Sequence, residues 1–320
     1  MAIRPDITQE RAAAAAEVSH QRRNWLVQVL AESPQAKIGL GVLGFFVLIA
    51  ILAPWIAPYD IHTQIGGVYA PPSWKHPLGL DDGGIDMLSL LIHGGRVSLI
   101  VGFAATFVAM IIGGGVGILA GYFGGWVDTV LMRITDYFLV IPDLPLAIVV
   151  AAVWGASLNH LIFVIALLLW TTTARIVRAQ VKSVRERVYV KRARSIGAGD
   201  ARIIFRHVLP QIGPLLIANT VLTVAIAIFD ETALSFLGLG DHSKTTWGTI
   251  IEFAFLRTAI SSGAWWAIIP AGLCVAIVIM GCYWLGQAIE DALNPRLKVS
   301  YLSPRPFRIR PVPTREGPSP

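Results

Sequence analysis

Residues 158–229 contain the stretch that decides how this chain folds. The sequence reads LNHLIFVIALLLWTTT over 158–173, ARIVRAQVKSVRERVYVKRARSIGAGDARIIFRH over 174–207 and IGPLLIANTVLTVAIAIF over 212–229. The two apolar runs are each close to the ~20 residues that cross a bilayer. The segment between them holds ten basic and two acidic residues. This pattern predicts two membrane-spanning helices joined by a basic loop.

Four further apolar runs extend the prediction to six membrane-spanning helices. They cover 38–57, 97–120, 137–154 and 264–285. The composition agrees, because 55% of the 320 residues are hydrophobic and only 14% are charged, compared with roughly 25% charged residues in soluble domains. We therefore predict an all-α membrane protein. The same composition excludes an ordinary soluble enzyme, a disordered protein and a fibrous protein.

Prolines and glycines modify some of these runs. Pro142 and Pro145 interrupt the third run and Pro214 lies near the start of the fifth, so these two helices are expected to be the least regular. In the second run, Gly113 and Gly117 have the spacing that lets two membrane helices approach closely. We interpret these two glycines as packing residues.

The distribution of basic residues predicts the orientation of the chain. Cytoplasmic loops of membrane proteins carry an excess of lysine and arginine. If both termini are cytoplasmic, 22 of the 26 basic residues lie on the cytoplasmic side. The net charge of +6 then reflects topology, so we predict no nucleic-acid partner. This topology divides the chain into an N-terminal cytoplasmic segment (1–37), a first helix with an outer loop (38–96), a core domain (97–286) and a C-terminal cytoplasmic tail (287–320).

The first half of the basic loop has helical periodicity. Val177, Val181, Val184 and Val188 recur at intervals of three or four residues. Such spacing places side chains on one face of a helix. We therefore expect the fourth membrane helix to continue beyond the membrane as an amphipathic helix.

The second half of the loop predicts a pair of short helices. A stripe of Tyr189, Ala193 and Ile196 is followed by a break at 197–199, and Asp200 is positioned as the N-cap of a further helix that ends by Pro210. On that last helix the apolar positions are Ile203, Ile204 and Val208. Two helices joined by a glycine turn would suit docking of a soluble partner. The alternative is that the loop lies on the membrane surface.

The sequence contains no recognisable catalytic motif. It lacks GxSxG, HExxH and CxxC, and it has no Gly-Lys pair, so it has no P-loop for nucleotides. The seven histidines show no metal-ligand spacing. We therefore expect no catalytic residue, metal site or cofactor on this chain.

Asp143 is the one acidic residue that this division places inside a membrane span. A carboxylate inside a span suggests a function in a substrate path. The alternative is an N-cap at the start of a helix. The scarcity of such charges argues against a proton- or sodium-coupled carrier, which is the rival transport class.

The segment YVKRARSIGAGDARIIFRHVLP (189–210) resembles the EAA loop of ABC importer permeases, and it is most similar to that of the dipeptide, oligopeptide and nickel group. Three more stretches resemble this group in the same order. They are PLGLDDGGIDMLS (77–89) with the nearby Gly94, Arg96 and Ser98, ETALSFLGLG (231–240) with Trp247-Gly248, and AIEDALNPRL (288–297). The resemblance is to the C-type subunit of two paired permeases and covers about residues 35–298.

This resemblance implies a type I ABC importer permease fold and a role in the import of dipeptides or oligopeptides across a bacterial inner membrane. The implied partners are a B-type permease, two ABC ATPase subunits that bind ATP and Mg, an extracytoplasmic substrate-binding protein, membrane lipid and the peptide substrate. The remaining alternative within the family is a permease for nickel or another small solute.

The resemblance also implies site residues. In the family, the EAA loop forms a coupling helix that enters a groove of the ATPase, and the matching positions here are Ala193, Gly197 and Asp200. The predicted coupling residues are Tyr189, Lys191, Arg192, Ala193, Ile196, Gly197, Ala198 and Asp200. The candidate contacts to the substrate or to the binding protein are Asp81, Asp86, Arg96, Asp143 and Glu231.

The chain departs from the family pattern at four of these motif positions. Lys191 and Arg192 stand where the family has Glu-Ala, so the basic pair implies either a more acidic groove on the ATPase or a solvent-facing position. Ile85 and Leu90 each replace a usual arginine in the outer loop. These changes affect the contacts that the resemblance implies but leave the implied architecture unchanged.

Overall fold

Ten α-helices form most of residues 33–293, the part of the chain that the computed structural model describes. In chain order they are α1 (Pro34–Ile56), α2 (Met87–Phe123), α3 (Gly125–Val140), α4 (Asp143–Trp154), α5 (Leu158–Arg185), α6 (Val188–Ser195), α7 (Asp200–Ile203), α8 (Leu209–Phe236), α9 (Trp247–Leu256) and α10 (Ile269–Leu293). A π-helical turn, Ile204–Val208, joins α7 to α8, and a 3-10 turn, Trp265–Ala267, precedes α10. Most of the predicted N-terminal segment and of the C-terminal tail lies outside the described residues.

Five helices or continuous helical runs are long and apolar enough to cross a membrane. They are α1, α2, α5, the run Asp200–Phe236 and the run Trp265–Leu293. These five correspond to five of the six predicted spans and confirm the predicted all-α membrane fold. Several extend beyond their apolar runs. The helix α2 begins at Met87, and α5 continues to Arg185 as its valine periodicity predicted.

The third predicted span is wrong as a single helix. Instead of one helix over 137–154, the chain forms α3 and α4, whose axes differ by 88°. The break falls at Ile141 and Pro142, both of which have extended backbone angles. A proline disfavours helical geometry in the residue before it, and Pro142 therefore ends α3 and precedes the first turn of α4.

Gly113 and Gly117 of α2 pack closely against α5, and we call this contact the glycine seam. A Cβ atom on Gly113 would lie 2.3 Å from the carbonyl oxygen of Trp170, and one on Gly117 would lie 2.6 Å from that of Ala174. Because these neighbours are backbone atoms, neither position has room for a side chain. The predicted packing function of these glycines is confirmed.

The predicted helix end at Pro210 is also wrong. The helix continues from Asp200 to Phe236 through the π-helical turn, in which the N–H of Leu209 donates to the carbonyl oxygen of Ile204. This wider turn lets the chain continue through Pro210, which has no N–H of its own and lies in the first turn of α8. The basic loop is consequently continuous with the span that follows it.

Candidate functional site

The predicted coupling residues lie on a small helical hairpin at the end of the bundle that carries the basic loop, which we call the basic end. We define the coupling hairpin as residues 186–208: α6, the turn at 196–199, α7 and the π-helical turn. It follows directly from α5 and leads directly into α8. Its position between two spans allows a force on the hairpin to reach both.

The turn of the hairpin depends on Gly197. Its φ angle is +81°, in the left-handed region that favours glycine. The N–H of Ala198 donates to the carbonyl oxygen of Ala193 (3.1 Å), and the N–H of Gly197 donates to that of Arg194 (3.0 Å). These two bonds form a Schellman motif, the usual helix ending with glycine in this conformation. The predicted glycine break is confirmed.

The buried face of α6 differs from the predicted stripe. Val190 and Ala193 are buried, whereas Tyr189 and Ile196 are 39% and 84% exposed. Val188 is also exposed and does not continue the valine stripe of α5. The reason is that α5 ends at Arg185 and α6 begins only at Val188, after a turn. The side chains of α6 therefore do not continue the helical spacing of α5. Val190 belongs to a buried hydrophobic cluster whose other members are Tyr122, Val177, Val181, Val184, Ala193, Ile203, Val208 and Ile212.

Tyr122, at the end of α2, connects the hairpin to the bundle. It is 2% exposed, and its hydroxyl donates to Oδ1 of Asp200 at 2.7 Å. Nη1 of Arg185 donates to the Tyr122 carbonyl oxygen at 2.8 Å, and the guanidinium of Arg194 lies 5.3 Å from the Tyr122 ring centre. One residue of α2 thus contacts α5, α6 and α7. The sequence analysis missed Tyr122, whose partners Arg185 and Asp200 lie 63 and 78 residues further along the chain.

Asp200 does not act as the predicted N-cap. The N-cap of α7 is Gly199, and Asp200 is the first helical residue, with no capping bond from a side chain. The hydroxyl of Tyr122 binds its carboxylate instead. Asp200 therefore links the hairpin to α2.

The outward face of the hairpin combines apolar and basic side chains. The exposed apolar residues are Val188, Tyr189, Ile196 and Phe205, and the exposed basic residues include Arg187, Lys191, Arg192 and Arg206. Nζ of Lys191 lies 2.9 Å from Oε2 of Glu186, and this hydrogen bond lowers the pKa of the Glu186 carboxyl. Within residues 33–293, no carboxylate pairs with Arg192. The face therefore combines the two features, exposed apolar area and arginine, that are typical of protein interfaces.

At the opposite end of the bundle, two of the candidate carboxylates hold their own loop together. Asp86 is fully buried and caps α2, accepting bonds from the N–H (2.9 Å) and hydroxyl (2.8 Å) of Ser89, and its Oδ1 lies 3.0 Å from Nδ1 of His76. Asp81 accepts bonds from the N–H groups of Gly83 (2.9 Å) and Ile85 (2.7 Å). Burial raises the pKa of the Asp81 carboxyl.

Glu231 lies inside α8 and not in an outer loop. Its side chain is fully buried, and the hydroxyl of Ser235 donates to its Oε1 at 2.9 Å. The hydroxyl groups of Ser98 and Thr246 also surround it. The helix α8 extends beyond the predicted span of 212–229 to Phe236, so Asp230 and Glu231 are helical residues next to that span.

Asp143 and Arg96 occupy separate exposed positions. Asp143 is the first residue of α4, where Pro142 is the N-cap and no side chain makes a capping bond, so the predicted cap is absent. Its carboxylate lies close enough to that of Asp230 for the two to repel each other. Arg96 is exposed on α2, beside a groove between α1, α2 and α8. The five candidate contacts thus do not converge on one site.

Two family models match the chain. The model described as binding-protein-dependent transport system inner membrane component matches residues 113–299, which is more than half of the chain. A second model, described as the N-terminal transmembrane domain of oligopeptide transport permease C, matches residues 27–72.

Curated relatives match over most of their length. The chain is 35% identical over 271 residues to a dipeptide transport system permease protein of Alkalihalophilus pseudofirmus, covering 84% of this chain and 88% of the relative. It is 37% identical over 273 residues to a di/tripeptide transport system permease protein of Pseudomonas aeruginosa, covering 82% of this chain and 89% of the relative. An oligopeptide transport system permease protein of Bacillus subtilis is 34% identical over 266 residues, and the match covers 82% of this chain and 86% of the relative.

A solved structure shares the fold. A chain of the MetNI methionine ABC transporter, in an inward-facing conformation, aligns with a TM-score of 0.51 and 17% sequence identity. The alignment covers 64% of this chain and 97% of that chain.

Proposed function

The chain belongs to the family of binding-protein-dependent transport system inner membrane components, and we propose that it is the C-type permease subunit of an ATP-driven importer of dipeptides or oligopeptides. It forms one half of the translocation path, and a B-type permease forms the other. The chain itself binds no nucleotide. Two partner ATPases bind ATP and Mg, and an extracytoplasmic binding protein delivers the peptide.

The observation that carries this proposal is the coupling hairpin. Its outward face is apolar and basic, while its inward face is a packed cluster that includes Tyr122 of α2. The hairpin is also continuous with α8 through the π-helical turn. A partner that binds the outward face and moves can therefore displace α2, α5 and α8 together.

The mechanism follows from this connection. ATP binding changes the separation of the two ATPases, and each ATPase carries a coupling hairpin with it. Ligand binding shifts a conformational equilibrium only through different affinities for its states. The ATPases therefore favour one arrangement of the spans with ATP bound and the other after hydrolysis, and the central path opens alternately to each side.

The peptide substrate is supported by the relatives, whose names specify dipeptides, di/tripeptides and oligopeptides. The exposed carboxylate of Asp143, with Asp230 close by, would attract the amino group of a peptide. The orientation with both termini cytoplasmic is supported by the excess of basic residues on that side. It places the coupling hairpin in the compartment where ATP is available.

Reconstitution of the whole complex tests the proposal. The importer is assembled in proteoliposomes, and uptake of a labelled dipeptide is measured with and without ATP, with Ni²⁺ as the competing substrate. We expect ATP-dependent dipeptide uptake that unlabelled Ni²⁺ does not reduce. ATP-dependent uptake of Ni²⁺ without uptake of dipeptide would reject the peptide substrate.

A charge-reversal pair tests the docking face. Arg192→Glu should weaken capture of the ATPases by the permease pair, because Arg192 is exposed on the hairpin and unpaired within residues 33–293. Lys75→Glu is the matched control, since Lys75 is exposed at the opposite end of the bundle. Equal capture of the ATPases by both variants would contradict docking at this face.

A further inference from the structure

A long apolar groove runs along the membrane-spanning surface between α1, α2 and α8. Its volume is about 830 Å³, and it is lined by 13 residues, among which Arg96 is the one charged side chain. The lining from α1 includes Ile51, and the lining from α8 includes Val224. The groove faces the surroundings of the bundle, and within residues 33–293 no segment covers it.

Arg96 stands at one end of this groove without a partner. Its side chain is exposed, and none of the salt bridges found within residues 33–293 involves Arg96. A guanidinium on a membrane span is costly unless an anion or water satisfies it. Arginine binds phosphate well because its planar donors match the phosphate oxygens. An anionic group at this end of the groove would therefore stabilise the guanidinium of Arg96.

The rest of α2 continues the groove as one stripe. Ile100, Phe103, Phe107 and Met110 follow Arg96 at intervals of four, three, four and three residues, which places them on one face of the helix. The stripe is about 21 Å long, at 1.5 Å per residue. One leaflet of hydrocarbon is about 15 Å thick, as half of the ~30 Å core. Its apolar part, from Ile100 to Met110, rises over ten residues and is about 15 Å long. This length matches an acyl chain below a headgroup held at the level of Arg96.

Two other occupants fit the groove less well. A peptide would bring backbone N–H and C=O groups that need partners, but the polar side chains among the lining residues are limited to Arg96, Thr106 and Thr220. A helix of a partner subunit would be expected to meet small residues. The small residues of α2, such as Gly113 and Gly117, face α5 instead, while Phe103 and Phe107 are 43% and 67% exposed.

We propose that this groove is a binding site for one membrane phospholipid, whose phosphate binds Arg96 and whose acyl chain lies along Ile100, Phe103 and Phe107. In this proposal Arg96 binds lipid, and it does not contact the substrate or the binding protein as the sequence analysis expected. The inference depends on the membrane location of the chain. It does not depend on the proposed substrate or on the coupling hairpin, so its failure leaves both unaffected.

Photo-crosslinking in the assembled complex tests the site. Benzoylphenylalanine replaces Phe103 in the groove or, as a matched control, Phe163 on α5, which is 46% exposed and does not line the groove. The complex is reconstituted in vesicles of phosphatidylethanolamine and phosphatidylglycerol, illuminated and analysed by mass spectrometry. We expect a phospholipid adduct at position 103. Arg96→Gln should reduce it about tenfold, the effect of losing a charged hydrogen bond, while Arg96→Lys should retain most of it.

The control and the alternatives give clear outcomes. Adducts at position 163 should not respond to Arg96→Gln, because ordinary annular lipid needs no arginine. A phospholipid adduct at position 103 that is equally insensitive would overturn the proposal. So would an adduct to a peptide of the partner permease or of a second copy of this chain, or an adduct that added dipeptide displaces. The yield of assembled complex verifies that the Arg96 variants fold.

Discussion

Gly197 shows at the scale of one residue how the coupling hairpin depends on backbone geometry. Both Gly197 and Gly199 lie in the same turn, and a Cβ atom at either position would meet nothing within 4 Å. They differ in φ, which is +81° at Gly197 and −66° at Gly199. A side chain is therefore strained at the first position and tolerated at the second, although both have equal space.

Valine at each position turns this difference into a prediction. Gly197→Val should cost about 1–2 kcal/mol of backbone strain in the turn, which would shift the hairpin away from the observed shape. We expect peptide-stimulated ATPase activity and uptake to fall roughly 5- to 30-fold, with assembly of the complex near normal. Gly199→Val is the matched control and should retain most of the activity. Equal activity of the two variants in proteoliposomes would show that the Schellman turn is not needed for coupling.

Glu231 shows at the scale of helices how three elements are joined at the end opposite the hairpin. Its carboxylate lies in α8 and binds Ser235, while Ser98 of α2 accepts a bond from the N–H of Trp247 of α9 at 3.1 Å. The indole N–H of Trp247 also donates to the carbonyl oxygen of Leu91 in α2 at 3.0 Å. The two bonds of Trp247 thus fix α9 against α2, and Glu231 of α8 lies beside Ser98 and Thr246 at the same junction.

Two substitutions of Glu231 separate hydrogen bonding from charge at this junction. Glu231→Gln keeps an oxygen acceptor for Ser235 and should change the free energy of unfolding by less than about 1 kcal/mol. Glu231→Ala leaves the buried hydroxyl of Ser235 without its acceptor and opens a cavity, so we expect a loss of about 2–4 kcal/mol. Thermal unfolding of the purified complex measures both. An equally large loss for Glu231→Gln would mean that the negative charge itself is required.

The sequence was sufficient for the helices whose apolar runs are uninterrupted, because burial in a membrane requires both length and hydrophobicity. It was insufficient where hydrogen bonding decided the outcome. The break at Pro142 and the continuation through Pro210 involve the same residue type, yet a π-helical turn accommodates the second proline and no such turn accommodates the first. A local pattern could not distinguish these two cases.

The candidate site was predictable to a similar extent. The glycine turn at Gly197 followed from residue type alone, since few other residues adopt a positive φ. The orientation of α6 could not be predicted from residue types, because it depends on where α5 ends and on the buried cluster that contains Val190. Tyr122 was missed because it lies 78 residues from Asp200, its partner. Contacts of that separation are invisible to periodicity.

The whole molecule depends on the glycine seam, because α2 carries Tyr122 at one end, the proposed lipid groove along its side and the junction with α9 at the other. The seam holds α2 against α5, whose end leads into the coupling hairpin. Gly117 and Gly114 lie on the same helix, but their surroundings differ. A Cβ atom on Gly117 would lie 2.6 Å from the carbonyl oxygen of Ala174, whereas one on Gly114 would meet nothing within 4 Å.

Alanine at each glycine therefore tests whether the bundle transmits movement through this seam. Gly117→Ala should separate α2 from α5 and cost about 1–3 kcal/mol through overpacking, which lowers both the thermal stability of the complex and its peptide-stimulated ATPase activity. Gly114→Ala should be neutral or should stabilise the helix by up to about 1 kcal/mol, because alanine restricts the unfolded chain more than glycine does. If Gly117→Ala were as stable and as active as Gly114→Ala, the close contact between α2 and α5 could not be what joins the coupling hairpin to the rest of the bundle.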